Sequence, residues 1–151
     1  MPPYVQAALI CEKVLIEKDE SFSIIRAIDR LHASGEPSEA NPLIFGAHLM
    51  LCVRHGDGEA QPSVRVQVDI LGPSGRRTHA IDRTVPMDPF GGVNINTLMA
   101  LQFVALGVYR FVVLLDGVES IRLSLNVTST PAPGGPIVVE PLNADGGSST
   151  R

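Results

Sequence analysis

The sequence predicts an all-β protein, an antiparallel β-sandwich of about eight strands with Greek-key links. Three observations carry that expectation. Leu106–Val127 holds two apolar runs around Asp116-Gly117, and Asp-Gly between such runs marks a hairpin, because both central residues of a type I′ turn need positive φ. Ser63–Leu71 alternates without a break, with Val64, Val66, Val68 and Ile70 on one side and Arg65, Gln67 and Asp69 on the other. Finally, the connections are Gly-, Pro- and Asp-rich turns too short to hold the crossover helices of a parallel sheet.

Taken in order, Tyr4 to Ile16 reads as a first strand and Glu17–Glu20 as a polar turn. Phe22–Ala33 fits helical spacing through Phe22, Ile25, Ile28 and Leu31, but its β-branched residues and the short preceding turn favour a strand. Ser34–Pro42 is a loop. Leu43–His55 is a strand with Phe45, Ala47, Leu49, Leu51 and Val53 on one face, followed by a turn at 55–59. After Ser63–Leu71, Thr78–Val85 is polar enough to be an edge strand. Met87–Gly92 is a loop in which Phe90 is expected to plug the end of the core. Val93–Leu106 spaces Ile95, Met99, Leu101 and Phe103 evenly, and the Asp116-Gly117 hairpin follows. The domain is expected over residues 1–127. From 128 to 151 the composition turns Pro-, Gly- and Ser-rich, as in a flexible tail, with Ile137-Val138-Val139 as its one apolar island. That triplet reads either as chance or as a segment that adds to a sheet edge.

Composition narrows the functional classes. With 12 basic against 16 acidic residues the net charge is −4, which disfavours a nucleic-acid partner. No apolar run is long enough for a transmembrane helix, and Met1–Tyr4 lacks a basic leader, so the expected setting is cytoplasmic with no membrane partner. Cys11 and Cys52 are expected on opposite-facing positions and as free thiols.

Two resemblances follow from particular residues. Gly107-Val108-Tyr109-Arg110-Phe111 resembles the G-x-Y-x-F stretch of immunoglobulin-like and fibronectin type III-like sandwiches, which implies a structural role for Tyr109 as a tyrosine corner. The chain has no tryptophan, so an antibody-type domain is excluded. The opening Pro3–Glu12, Ser23–Arg30, the Gly92-Val93-Asn94 turn and Leu114–Gly117 are together similar to an uncharacterised family of small bacterial proteins. That likeness implies a domain of unknown function and supplies no catalytic residues.

The chemistry-bearing residues form no catalytic motif. His32, His48, His55 and His79 lack metal-ligand spacing, and His55 and His79 read as loop residues. Ser63, His48 and Asp69 could be drawn as a triad, but no nucleophile elbow supports it. Asp57, Glu59, Asp82, Asp88 and Asp116 lie in turns without calcium-loop spacing, and no glycine pattern cradles a nucleotide. The expectation is therefore no cofactor, no enzyme, and an interaction or structural module acting through an unknown protein partner or self-association. Its candidate contacts are Arg76, Arg77, His79 and Arg83 around one turn, together with Phe90. Asp116, Gly117 and Tyr109 are expected to be structural. The alternative is a small-ligand or carbohydrate-binding domain using Phe90 and the loop carboxylates.

Overall fold

The computed structural model describes residues 2–19, 21–58, 60–129 and, for the backbone alone, 130 and 139–141. These form ten strands in two sheets, with no helix among the described residues. They are β1 (Tyr4–Ile16), β2 (Phe22–Ala27), β3 (Arg30–Ser34), β4 (Leu43–Arg54), β5 (Ser63–Leu71), β6 (Arg77–Pro86), β7 (Val93–Phe103), β8 (Gly107–Leu115), β9 (Val118–Thr130) and β10 (Val139–Pro141). The first sheet runs β2-β1-β4-β7, and the second runs β10-β3-β9-β8-β5-β6.

The core lies between the sheets and follows the period of two. β4 contributes Leu43, Ala47, Leu49, Leu51 and Val53; β7 contributes Ile95, Met99, Leu101 and Phe103. Facing them are Val64, Val66 and Val68 from β5, Phe111, Val113 and Leu115 from β8, and Leu125 and Val127 from β9. The β8–β9 hairpin closes with Asp116 and Gly117 at φ 49° and 83°, the left-handed pair that a two-residue turn requires. Asp116 accepts a hydrogen bond from the Arg65 amide at 2.9 Å, which ties the turn to β5.

Several expectations are corrected. There are ten strands rather than about eight, and the sheets are not wholly antiparallel, because β3 runs parallel to β9. The cause lies in the stretch predicted as one strand, Phe22–Ala33. Arg26 adopts φ 51°, and the chain leaves the first sheet after Ala27. Ile28 donates its amide to Ile10, and Asp29 accepts from the Asn126 amide at 2.9 Å, so the chain enters the second sheet already aligned with β9. β10 adds antiparallel to β3 at residues expected to lie in the tail. β9 also runs three residues past the expected domain end, to Thr130, while residues 131–138, with Ile137 and Val138, residues 142–151 and Glu59 lie outside the described residues.

A bulge between Val5 and Ala7 shifts the phase of β1. Ala8 and Ile10 then face the core, while Ala7, Leu9 and Cys11 pair with Cys52, Met50 and His48 on the outer face. The two cysteines therefore share a face instead of opposing one another, four β4 positions apart in register, and both are free thiols. Asp69, expected to point into solvent, is 5% exposed. It lies on the outer face of the second sheet beside Val112, beneath Arg77 and His79.

Candidate functional site

β6 and β7 are consecutive strands, but each is the edge of a different sheet. They form a hairpin whose arms are split between the two layers. At the closed end, Met87–Gly92 makes a tight turn. Asp88 and Gly92 exchange backbone hydrogen bonds of 2.8 and 2.9 Å, and the Asp88 carboxylate accepts from the Phe90 and Gly91 amides. Gly92 sits at φ 85° against the Val53 carbonyl, where a Cβ would overlap backbone. His55 donates from Nε2 to the Asp88 carbonyl at 2.8 Å and holds the turn from the β4 side.

Further along, Arg83 on β6 donates to the Thr97 hydroxyl on β7 at 2.9 Å, tying the arms together. Beyond that tie the arms diverge and leave a cleft of about 690 Å³. One wall is the open edge of β7 from Thr97 to Gln102. The other carries Thr78, His79 and Ala80 of β6 and the Gly72–Arg76 turn, with Ile70 and Tyr109 also among the lining residues. Arg76 and Glu39 meet across the rim at 3.3 Å; both are well exposed, so the pair contributes little and is free to exchange.

The structure places the five sequence-predicted contacts as follows. Arg76 and His79 line the cleft, and Arg83 ties its arms together. Arg77 sits at the start of β6 and reaches Asp69 at 3.5 Å. His79 is on a strand rather than in a loop. Its Nδ1 donates to the same Asp69 at 2.5 Å, so a buried carboxylate fixes an exposed imidazole by the cleft. The bulge opposite Val68/Asp69 allows this, because it shifts the register so that His79 pairs with Asp69. Phe90 is 99% exposed and plugs nothing. The hydrogen bonds to Asp88 curl the turn away from the sandwich, and buried Met87 lines the core in its place.

Of the structural residues, Tyr109 turns its hydroxyl back onto the turn before β8. It accepts from the Val104 and Ala105 amides, both at 3.2 Å, and donates to the Ala105 carbonyl at 3.0 Å. Its ring packs edge-on against Phe103 at 4.8 Å. His48 lies on the outer face of β4 and is hydrogen-bonded to Asn96 at 2.8 Å. Asp82 pairs with Arg65 at 2.7 Å, and the guanidinium hydrogen bonds hold its carboxyl below the usual range. Among the described residues no group of three or more His, Cys, Asp or Glu could hold a metal ion. Among them there is no helix long and apolar enough to cross a membrane.

Sequence reasoning missed Asp69, Glu39 and the 97–102 edge. The signal for the last was present: Val93–Phe103 carries no charged residue and no proline.

One protein-family model matches residues 6–128, nearly the whole sandwich. The chain belongs to the family of unknown function DUF6941. No curated protein matches this DUF6941 chain in sequence. Among solved structures it is similar to an immunoglobulin-like protein from Pseudomonas aeruginosa, at 16% identity over 84% of this chain and 97% of that one, with a TM-score of 0.39.

Proposed function

We propose that this domain is a non-enzymatic interaction module whose contact surface is the β6–β7 side of the sandwich. The observation that carries the reading is the cleft itself, a groove of about 690 Å³ along an open sheet edge, lined by Arg76 and His79, with Arg83 bound to Thr97 at its end. Phe90 supports it. A phenylalanine held 99% in solvent on a turn braced by Asp88, Gly92 and His55 is a pre-organised apolar anchor for another protein. We read the strand order as an immunoglobulin-like Greek key, with β1-β4-β7 facing β9-β8-β5-β6, and the setting as the reducing cytoplasm of a bacterium, which suits two free thiols.

The test is affinity capture from native lysate with three baits: the wild-type protein, the Arg76→Glu/Arg83→Glu variant and the Phe90→Ala variant. A partner held near one-to-one by the wild type and lost from the variants supports the reading. A partner retained equally by all three refutes it. A second reading, a small-ligand or carbohydrate site, draws on the cleft volume, which falls within the range of small-molecule pockets. Against it, the fully exposed Phe90 is on the turn and not in the cleft. A thermal-shift panel of sugars and metabolites, with and without calcium, decides that alternative.

A further inference from the structure

Among the described residues the two sheets have four edges, and three of them are defended against added strands. β10 is three residues long and ends in Pro141. β2 has six residues and is broken out of extended geometry by Arg26 at φ 51°. β6 carries Arg77, His79, Asp82, Arg83 and Pro86, and its pairing with β5 is bulged. Short length, charge, proline and bulges are the devices by which natural sheets prevent edge-to-edge pairing. β7 has none of them. It has 11 residues, pairs with β4 without a register shift from Val93 to Phe103, and presents Asn, Thr, Leu, Met, Ala and Gln along its length. In an antiparallel ladder the edge strand aims alternate N–H and C=O groups away from its neighbour, and among the described residues β7 has no paired strand on its cleft side.

We propose that the free edge of β7 takes up one extended segment of a partner protein as an added strand inside the cleft. This rests on the interaction reading above and specifies its mode. The occupant is a single segment rather than the edge of a second copy. β6 and the Gly72–Arg76 turn form the opposite wall, and a whole sheet arriving edge-on would meet them. The cleft-lining run Thr97–Gln102 sets the length, since its six residues span about 20 Å of strand. The segment has no internal proline, because every second residue must donate to the ladder. It is neutral to acidic. The Arg83 guanidinium contacts the Thr97 hydroxyl and no described carboxylate, and Arg76 is held only by the exchangeable rim contact with Glu39.

The test uses the full chain and fluorescein-labelled octapeptides of alternating Thr and Val. One version carries two Glu, one carries two Lys at the same places, and one carries a central Pro. Binding is read by anisotropy, and the bound state by amide hydrogen exchange along β7. The expected result is that the Glu peptide binds and slows exchange over Thr97–Gln102. The Lys and Pro peptides should bind roughly tenfold more weakly or not at all, as loss of an ion pair or of ladder hydrogen bonds implies. N-methylation of alternate peptide amides distinguishes strand addition from side-chain docking. Methylating one row should abolish binding, and methylating the other should leave it intact. Leu98→Lys, a charge placed on an exposed position of the edge, should weaken the wild-type interaction without unfolding the domain.

Binding without protection of β7, or equal sensitivity to either N-methyl row, overturns strand addition and leaves the interaction reading standing. So does a captured partner indifferent to Leu98→Lys. Self-association that protects β7 in the absence of peptide overturns the occupant proposed. No binding by any peptide, together with no partner captured by the wild-type bait, overturns both.

Discussion

Replacing Tyr109 by Phe removes one oxygen atom and tests how the turn into β8 is held. The hydroxyl accepts from the Val104 and Ala105 amides and donates to the Ala105 carbonyl, at 3.0–3.2 Å. Phenylalanine keeps the ring, its edge-on packing against Phe103 and its buried area. What is lost is three hydrogen bonds, with their backbone partners left behind. A buried group left unsatisfied costs about 1–3 kcal/mol. Val104 and Ala105 are half-buried, so water can restore some of the lost bonds and the loss should fall in the lower half of that range, about 1–2 kcal/mol. In urea unfolding the midpoint should drop with the slope unchanged, because the surface exposed on unfolding is nearly the same. Tyr109→Leu should cost about 1 kcal/mol more, as the ring contact is lost too. A Tyr109→Phe change below about 0.3 kcal/mol would show that the turn is held by its own backbone and not by the tyrosine, refuting the reasoning.

Other expectations are narrower. Gly92→Ala should destabilise by about 2–4 kcal/mol, since the residue would need positive φ and its Cβ would overlap the Val53 carbonyl; thermal unfolding measures this. Phe90→Ala should leave stability within about 0.5 kcal/mol, because the ring is 99% exposed, yet weaken a captured partner roughly tenfold. Asp82 has its carboxyl lowered chiefly by the Arg65 hydrogen bond. Its contribution is therefore present above the ordinary carboxylate range and lost as pH falls through the lowered value. Asp82→Asn should flatten the acid limb of melting temperature against pH, and an unchanged limb would remove Asp82 from that account.

Local alternation made most of the sandwich legible. The strands from Leu43 to Leu71 and from Val93 to Val127 follow the period of two set by one buried face, and Asp116-Gly117 fixes its turn through φ alone. Non-local effects stayed hidden. The Val5/Ala7 bulge reverses which face of β1 is buried, and no residue between Tyr4 and Cys11 announces it. The crossing at Ile28-Asp29 depends on Asn126, nearly a hundred positions away. Asp69 alternates as a solvent-facing residue and is buried only because the β6 bulge brings His79 opposite it. Arg76, His79 and Arg83 could be grouped from sequence as one basic turn. That Arg76 and His79 line a cleft and Arg83 ties its arms could not be seen, because its other wall, β7, is distinguished only by lacking charge and proline.

The most direct measurement of the central claim is an amide chemical-shift map of the isotope-labelled chain as a captured partner, or the Glu-bearing octapeptide, is titrated in. The account predicts that the shifted amides cluster at Thr97–Gln102, Thr78–Arg83 and Gly72–Arg76, with Phe90 joining them for a whole partner. Shifts confined to the outer face of the second sheet, around Arg110, Arg122 and Ser124, or to the outer face bearing Leu9, His48 and Met50, would contradict it.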